Sequence, residues 1–105
     1  MDPPSADLVE SPLKSMINAA MDDAARRTKL ERSRLEVVSA ERVTWSDGSL
    51  GCPQADMMYT QALVPGYRIR IRAGVEMLDY HSGRHGTPVL CPPSRSVEPA
   101  SDGPT

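Results

Sequence analysis

A chain of 105 residues with 10 prolines, one tryptophan, two cysteines and no phenylalanine has room for one domain at most. Its 12 basic and 14 acidic residues nearly balance, which gives no overall pull toward nucleic acid or an anionic membrane. No apolar run is long enough to span a bilayer, and Met1-Asp2-Pro3-Pro4 does not read as a signal peptide, so the chain as written is expected to be cytoplasmic.

Residues 1–10 hold Pro3 and Pro4 and almost no large apolar side chain, and are expected to be a disordered tail. A helix is predicted from about Ser11 to about Lys29. Ser11 can cap it, and Pro12 suits the first helical position, where no amide donor is needed. Leu13, Met16, Ile17, Ala20 and Ala24 share one face, while Asp22 to Arg26 and Asp23 to Arg27 are i,i+4 pairs in the favourable order. A strand follows over Leu35–Trp45. Leu35, Val37, Val43 and Trp45 have one parity, but Ser39 and Glu41 share it, so a bulge or bend is expected near Ala40.

Next comes Trp45-Ser46-Asp47-Gly48-Ser49-Leu50-Gly51-Cys52-Pro53. Gly and Pro act against both helix and central strand, so this run is expected to be a fixed loop, a common place for function. The connection onward to Pro65 carries Met57, Met58, Tyr59, Leu63 and Val64, which is too apolar for plain coil. It is expected either to plug a sheet edge or to bind a partner. Tyr67 to Arg72 alternates strictly, Ala73-Gly74 turns the chain, and Val75 to His81 returns as a hairpin. Pro88–Cys91 reads as a short last strand, and 92–105 as a second disordered tail rich in Pro and Ser. The single domain, 11–91, is thus expected to be α+β: an N-terminal amphipathic helix on a small three- to four-stranded antiparallel sheet.

The run Val37 to Pro53, with its Trp-x-Asp-Gly-Ser-Leu-Gly-Cys-Pro core, continues through Tyr59 to Ile69, Tyr80-His81 and Val89-Leu90-Cys91. This pattern resembles a small bacterial, actinobacteria-type domain family known mainly as uncharacterised proteins, often exported or lipid-anchored, with the same helix ahead of the strands. Relatives usually have Pro where Ser46 stands and Pro-Gly where Ala55-Asp56 stand. The resemblance implies the fold and supports a disulfide. It implies no activity, and its exported relatives stand against the cytoplasmic expectation.

Cys52 and Cys91 can form a disulfide that ties the motif loop to the last strand, or stay as buried thiols. With His81 and His85 they also make a possible zinc set, although neither cysteine sits in a close pair and no helix presents both histidines. Asp47, Ser49 and His81 have the residue types of a hydrolase triad, but Asp47-Gly48-Ser49 reads more simply as turn chemistry. A thiol-dependent Cys52 is argued against by Pro53 and by a partner cysteine. Arg68, Arg70 and Arg72 form a basic strand face that Glu76 and Asp79 can offset. No catalytic constellation, metal or cofactor is therefore expected. The expected function is a non-enzymatic module that binds another protein through the loop Trp45–Tyr59, with Trp45, Asp47, Ser49, Leu50, Met57, Met58 and Tyr59 as contact candidates. The alternatives are a peptidase inhibitor or regulator, or a Cys/His metal or thiol site. Neither nucleic acid nor membrane is an expected partner, and a monomer or weak dimer is the expected state.

Overall fold

The structure, a computed structural model, describes residues 4–102, with side chains from 12 to 100. Helix α1 (Pro4–Thr28) leads through one 3-10 turn (Arg32–Arg34) into β1 (Leu35–Trp45), β2 (Val64–Ala73), β3 (Glu76–Gly83), β4 (Val89–Leu90) and β5 (Ser101–Asp102). These strands form one antiparallel sheet in the order β4-β3-β2-β1-β5. The α+β architecture of a helix on an antiparallel sheet is as the sequence predicts, with β5 as an added two-residue edge.

The helix starts earlier than Ser11. Pro4 takes the first helical position, and Pro12 lies inside the helix. An internal proline removes one amide donor, but here the turns on either side carry the helix through. Positions 1–3 and 103–105 of the two expected tails lie outside the described residues.

One face of the sheet is apolar. Ile69 and Ile71 of β2 and Tyr80 of β3 are sealed from solvent, with Tyr67, Ala73, Leu78 and Leu35 around them. Met16, Ala20, Met21 and Ala24 of α1 cover this layer. Ala20 and Ala24 let the helix axis come close to the sheet, and Met16 and Met21 fill the space that remains. The Tyr80 hydroxyl donates to Asp23 on α1 at 2.7 Å, so the polar tip of this sealed ring is satisfied. Hairpin β2–β3 pairs Ala73 with Glu76 across Gly74-Val75. Gly74 has φ 64°, the left-handed value that a two-residue turn of this kind requires at its first central position.

The irregularity expected in β1 lies between Val37 and Ser39, where the register to β2 shifts by one. Before it, Leu35 and Val37 stand opposite Ala73 and Ile71 on the helix face. After it, Ser39, Glu41, Val43 and Trp45 stand opposite Arg70, Arg68, Gly66 and Val64 on the other face. One extra residue therefore sends the two apolar halves of a single strand to opposite sides of the sheet.

The segment after Cys91 is no loose tail where it is described. The Val97 amide donates to the Gly51 carbonyl at 2.9 Å and the Ala100 amide to Thr44 at 2.7 Å, and β5 then pairs with Val43 and Thr44. Its lack of large apolar residues made it look unable to order. Backbone hydrogen bonds and one ion pair hold it instead.

Candidate functional site: the face beneath the motif loop

Trp45 is completely buried on the second face. Its indole N–H donates to the Ser82 carbonyl at 2.9 Å, and its ring stacks on His81 with centroids 4.4 Å apart and planes at 24°. A glycine stands on each side of it. A Cβ on Gly66 would lie 2.9 Å from the indole nitrogen and would collide with the Ser82 carbonyl; one on Gly51 would meet the six-membered ring and, at 2.7 Å, the Val97 carbonyl. The motif glycines therefore leave room for a large flat ring.

The remaining motif residues shape the loop above that ring. Asp47 accepts the Ser49 amide at 2.9 Å and its hydroxyl at 2.6 Å, a local turn that also holds the Asp47 carboxyl below its ordinary range. The Cys52 amide donates to the Ser49 carbonyl at 3.0 Å, with Leu50 and Gly51 between them at φ 56° and 70°. Both central residues are left-handed, as in a type I′ turn, and for leucine that conformation is strained. The strained turn aims the Leu50 carbonyl at His81 Nδ1, 2.8 Å away.

Below the loop sits a closed polar cluster. His81, fully buried, has Nδ1 on Leu50 and Nε2 on Asp79 Oδ2 at 3.0 Å. Arg68 donates Nε and one Nη to the two Asp79 oxygens, each at 3.0 Å, and reaches both Glu98 oxygens at 2.9 and 3.1 Å. The Ser96 hydroxyl donates to Asp79 Oδ2 at 2.9 Å. Burial alone would raise the Asp79 carboxyl, but bonds from His81 and Arg68, together with their charges, hold it far below the usual carboxylate range. Arg68, Asp79 and His81 are shielded from water, while Glu98 is open to it. A cluster whose members are all paired fixes one arrangement, and removing a shielded member would strand the others.

This geometry sorts the candidate residues. Cys52 and Cys91 are disulfide-bonded, with Cα atoms 5.8 Å apart, so neither sulfur is free as a thiol nucleophile or a zinc thiolate. His85 is exposed on its turn, away from buried His81. Asp47, Ser49 and His81 do not assemble as a triad, because Ser49 directs its proton at Asp47 and both His81 nitrogens face other partners. Ser96, His81 and Asp79 do meet, yet Asp79 and Ser96 face the same ring nitrogen, so no nitrogen is left to take a serine proton. Trp45 belongs to the core and is no contact surface. The basic face also divides. Arg68 is buried, Arg70 is half-buried, and Arg72 is exposed in a pair with Glu36. Asp79 offsets Arg68 as expected, while Glu98, Ser96 and Arg95 were missed because the segment carrying them read as tail.

Three exposed apolar side chains stand on the outer part of the loop. Gly48 and Thr60 close its neck with a 2.9 Å backbone bond, and the disulfide holds Cys52. Between and just beyond them, Met58 is 95% exposed, Leu63 66% and Met57 57%. The Gln54 amide donates to the Tyr59 hydroxyl at 3.0 Å, and the Met57 amide to Gln54 across Ala55-Asp56. Asp56 has φ 69°, the value that the second central residue of a type II turn needs. A Pro-Gly pair would suit those two positions better than Ala-Asp does.

No curated protein and no solved structure matches the chain. A family model described as a domain of unknown function, DUF8738, matches residues 17–91, from within α1 to the second cysteine, and the chain belongs to that family.

Proposed function

We propose that this domain is a protein-binding module that presents the closed loop between Gly48 and Leu63 to another protein. The observation that carries the reading is the pair Met57 and Met58, standing in solvent on a loop whose neck is hydrogen-bonded and crosslinked. Large apolar side chains held out on a compact closed loop lower the ordering cost of binding, and methionine adapts to varied partner surfaces. Asp47, Ser49 and Leu50 serve this reading as supports of the loop, while Met57, Met58, Leu63 and the half-buried Tyr59 are its contacts. The polar cluster below keeps the platform in one shape.

The test is a pair of baits. Wild-type protein and a Met57→Ser/Met58→Ser double variant are compared in crosslinking from the native cell. A partner retained by the wild type, lost by the double variant and kept by an Arg84→Ser control supports the reading. Identical recovery by all three baits overturns it. A narrower version, peptidase inhibition, draws on Met58 standing at the tip of the same crosslinked loop. Endopeptidases of several classes would be blocked stoichiometrically by an inhibitory loop, and would simply cleave one that is not.

A further inference from the structure

We infer that the open start of β3 is a docking site for an extended apolar segment of another protein carrying one carboxylate, which adds beside Met77 as a further strand. This site goes beyond the loop reading and does not depend on it. Strand β4 shields β3 only at Tyr80 and His81, with one more bond from the Cys91 amide to the Asp79 carbonyl at 2.8 Å. Pro92 and Pro93 follow at once. Neither has an amide to continue the ladder, and the chain turns away there, the Arg95 amide donating to Pro92 at 3.0 Å. Among the described residues, Glu76, Met77 and Leu78 consequently pair with β2 on one side and with no strand on the other.

Alternate residues of a strand direct their backbone groups to the same side. Asp79 points its carbonyl toward β4, so Met77 offers an amide and a carbonyl to the same side with no strand to receive them. A cleft lies there. Leu78 and Leu90 contribute its apolar floor, half-exposed Met77 and Pro92 its sides, and Arg27 and Arg95 flank it. Arg95 makes no ion pair among the described residues; its Nε is buried without a hydrogen-bond partner, and one Nη meets only the Cys52 sulfur, at 3.8 Å. Arg27 is held toward the cleft by Asp23 at 2.6 Å and keeps further donors. Two guanidiniums select a carboxylate, while Glu76 at the mouth disfavours a second one. A free backbone donor and acceptor beside an apolar strip matches the repeat of an extended peptide better than that of a small acid.

The test uses the full chain, isotopically labelled, with the blocked peptide acetyl-Thr-Val-Glu-Val-Thr-amide as probe. A lysine-for-glutamate version and octanoate serve as comparison arms. Saturable shifts of the Met77, Leu78 and Arg95 amides with the acidic peptide are expected, weakened about tenfold or more by Arg95→Gln. Met77→Pro deletes the unused amide without touching either arginine and is expected to abolish binding while the rest of the spectrum stays in place. Equal binding of the lysine peptide, the same shifts from octanoate alone, or no shift at Met77 at millimolar peptide would each overturn the site. Shifts confined to Met57–Leu63 would overturn it too, and would leave the loop reading standing.

Discussion

On the helix face, Ile69, Ile71, Leu78 and the methionines and alanines of α1 meet almost wholly through apolar contact. On the opposite face, Trp45, His81, Asp79 and Arg68 meet through an indole bond, a stacked ring, a shared carboxylate and a crosslinked loop. Contact of the first kind is non-directional and tolerates exchange of similar volumes. Contact of the second kind depends on single atoms in fixed places, on charge and on oxidation. The two faces of one sheet should therefore fail differently.

The largest contrast is expected from one added methyl. Gly51→Ala would drive a Cβ into Trp45 and the Val97 carbonyl at a φ of 70°, and should cost about 3 kcal/mol or more in urea unfolding. Ile71→Val, which removes one methyl from the helix face, should cost about 1 kcal/mol. A Gly51→Ala cost no larger than that of Ile71→Val would end the comparison. Next in size is the disulfide. Replacing Cys52 and Cys91 together by serine should lower stability by about 3–4 kcal/mol, and reductant should destabilise the wild type while leaving the double variant unchanged.

Acid should sharpen the difference further. The Asp79 carboxyl lies well below its unfolded value, so its contribution is complete above an ordinary carboxylate pKa of about 4 and fades as pH falls below that. Near-ultraviolet circular dichroism of Trp45, on the cluster face, should lose intensity in that acid range before far-ultraviolet helix signal does. An Arg68→Met variant should be weakened most at neutral pH, and the gap to wild type should narrow on acidification. The smallest effect is a gain. Asp56→Gly relieves a left-handed aspartate in an exposed turn and should raise stability by about 0.5–1 kcal/mol, with Ala55→Pro adding to it.

Much of the helix face was legible in the sequence, because its information is periodic. Alternation in Tyr67–Arg72 and three- and four-residue spacing in α1 each name a buried side without reference to the rest of the chain. The parity conflict around Ser39 even announced the bulge. The second face is written differently. Gly51 and Gly66 matter only because Trp45 lies between them, and His81 reads as an ordinary strand end until Leu50, Asp79 and Ser96 gather round it. Such contacts join residues far apart in the chain, 37 positions in the case of Trp45 and Ser82, and no local pattern encodes them. Composition misled at the end of the chain. A stretch poor in apolar residues reads as tail, yet Glu98 and Ser96 order it by meeting Arg68 and Asp79. The helix start expected at about Ser11, with Pro12 as the first helical residue, falls inside α1 for the same kind of reason, since a proline marks a boundary only as a preference.

The bulge in β1 has a consequence for the chain among its own copies. Among the described residues, the outer edge of β1 from Leu35 to Arg42 has no neighbouring strand, since β5 pairs there only with Val43 and Thr44. Two such edges could meet antiparallel with like faces aligned along that whole stretch in the register that sets Leu35 against Arg42 and Val37 against Ala40. The same register sets Glu36 against Glu41, twice, on the face opposite the helix. Like charges directly across a strand pair repel, so an edge that looks like a template for stacking and aggregation carries its own deterrent.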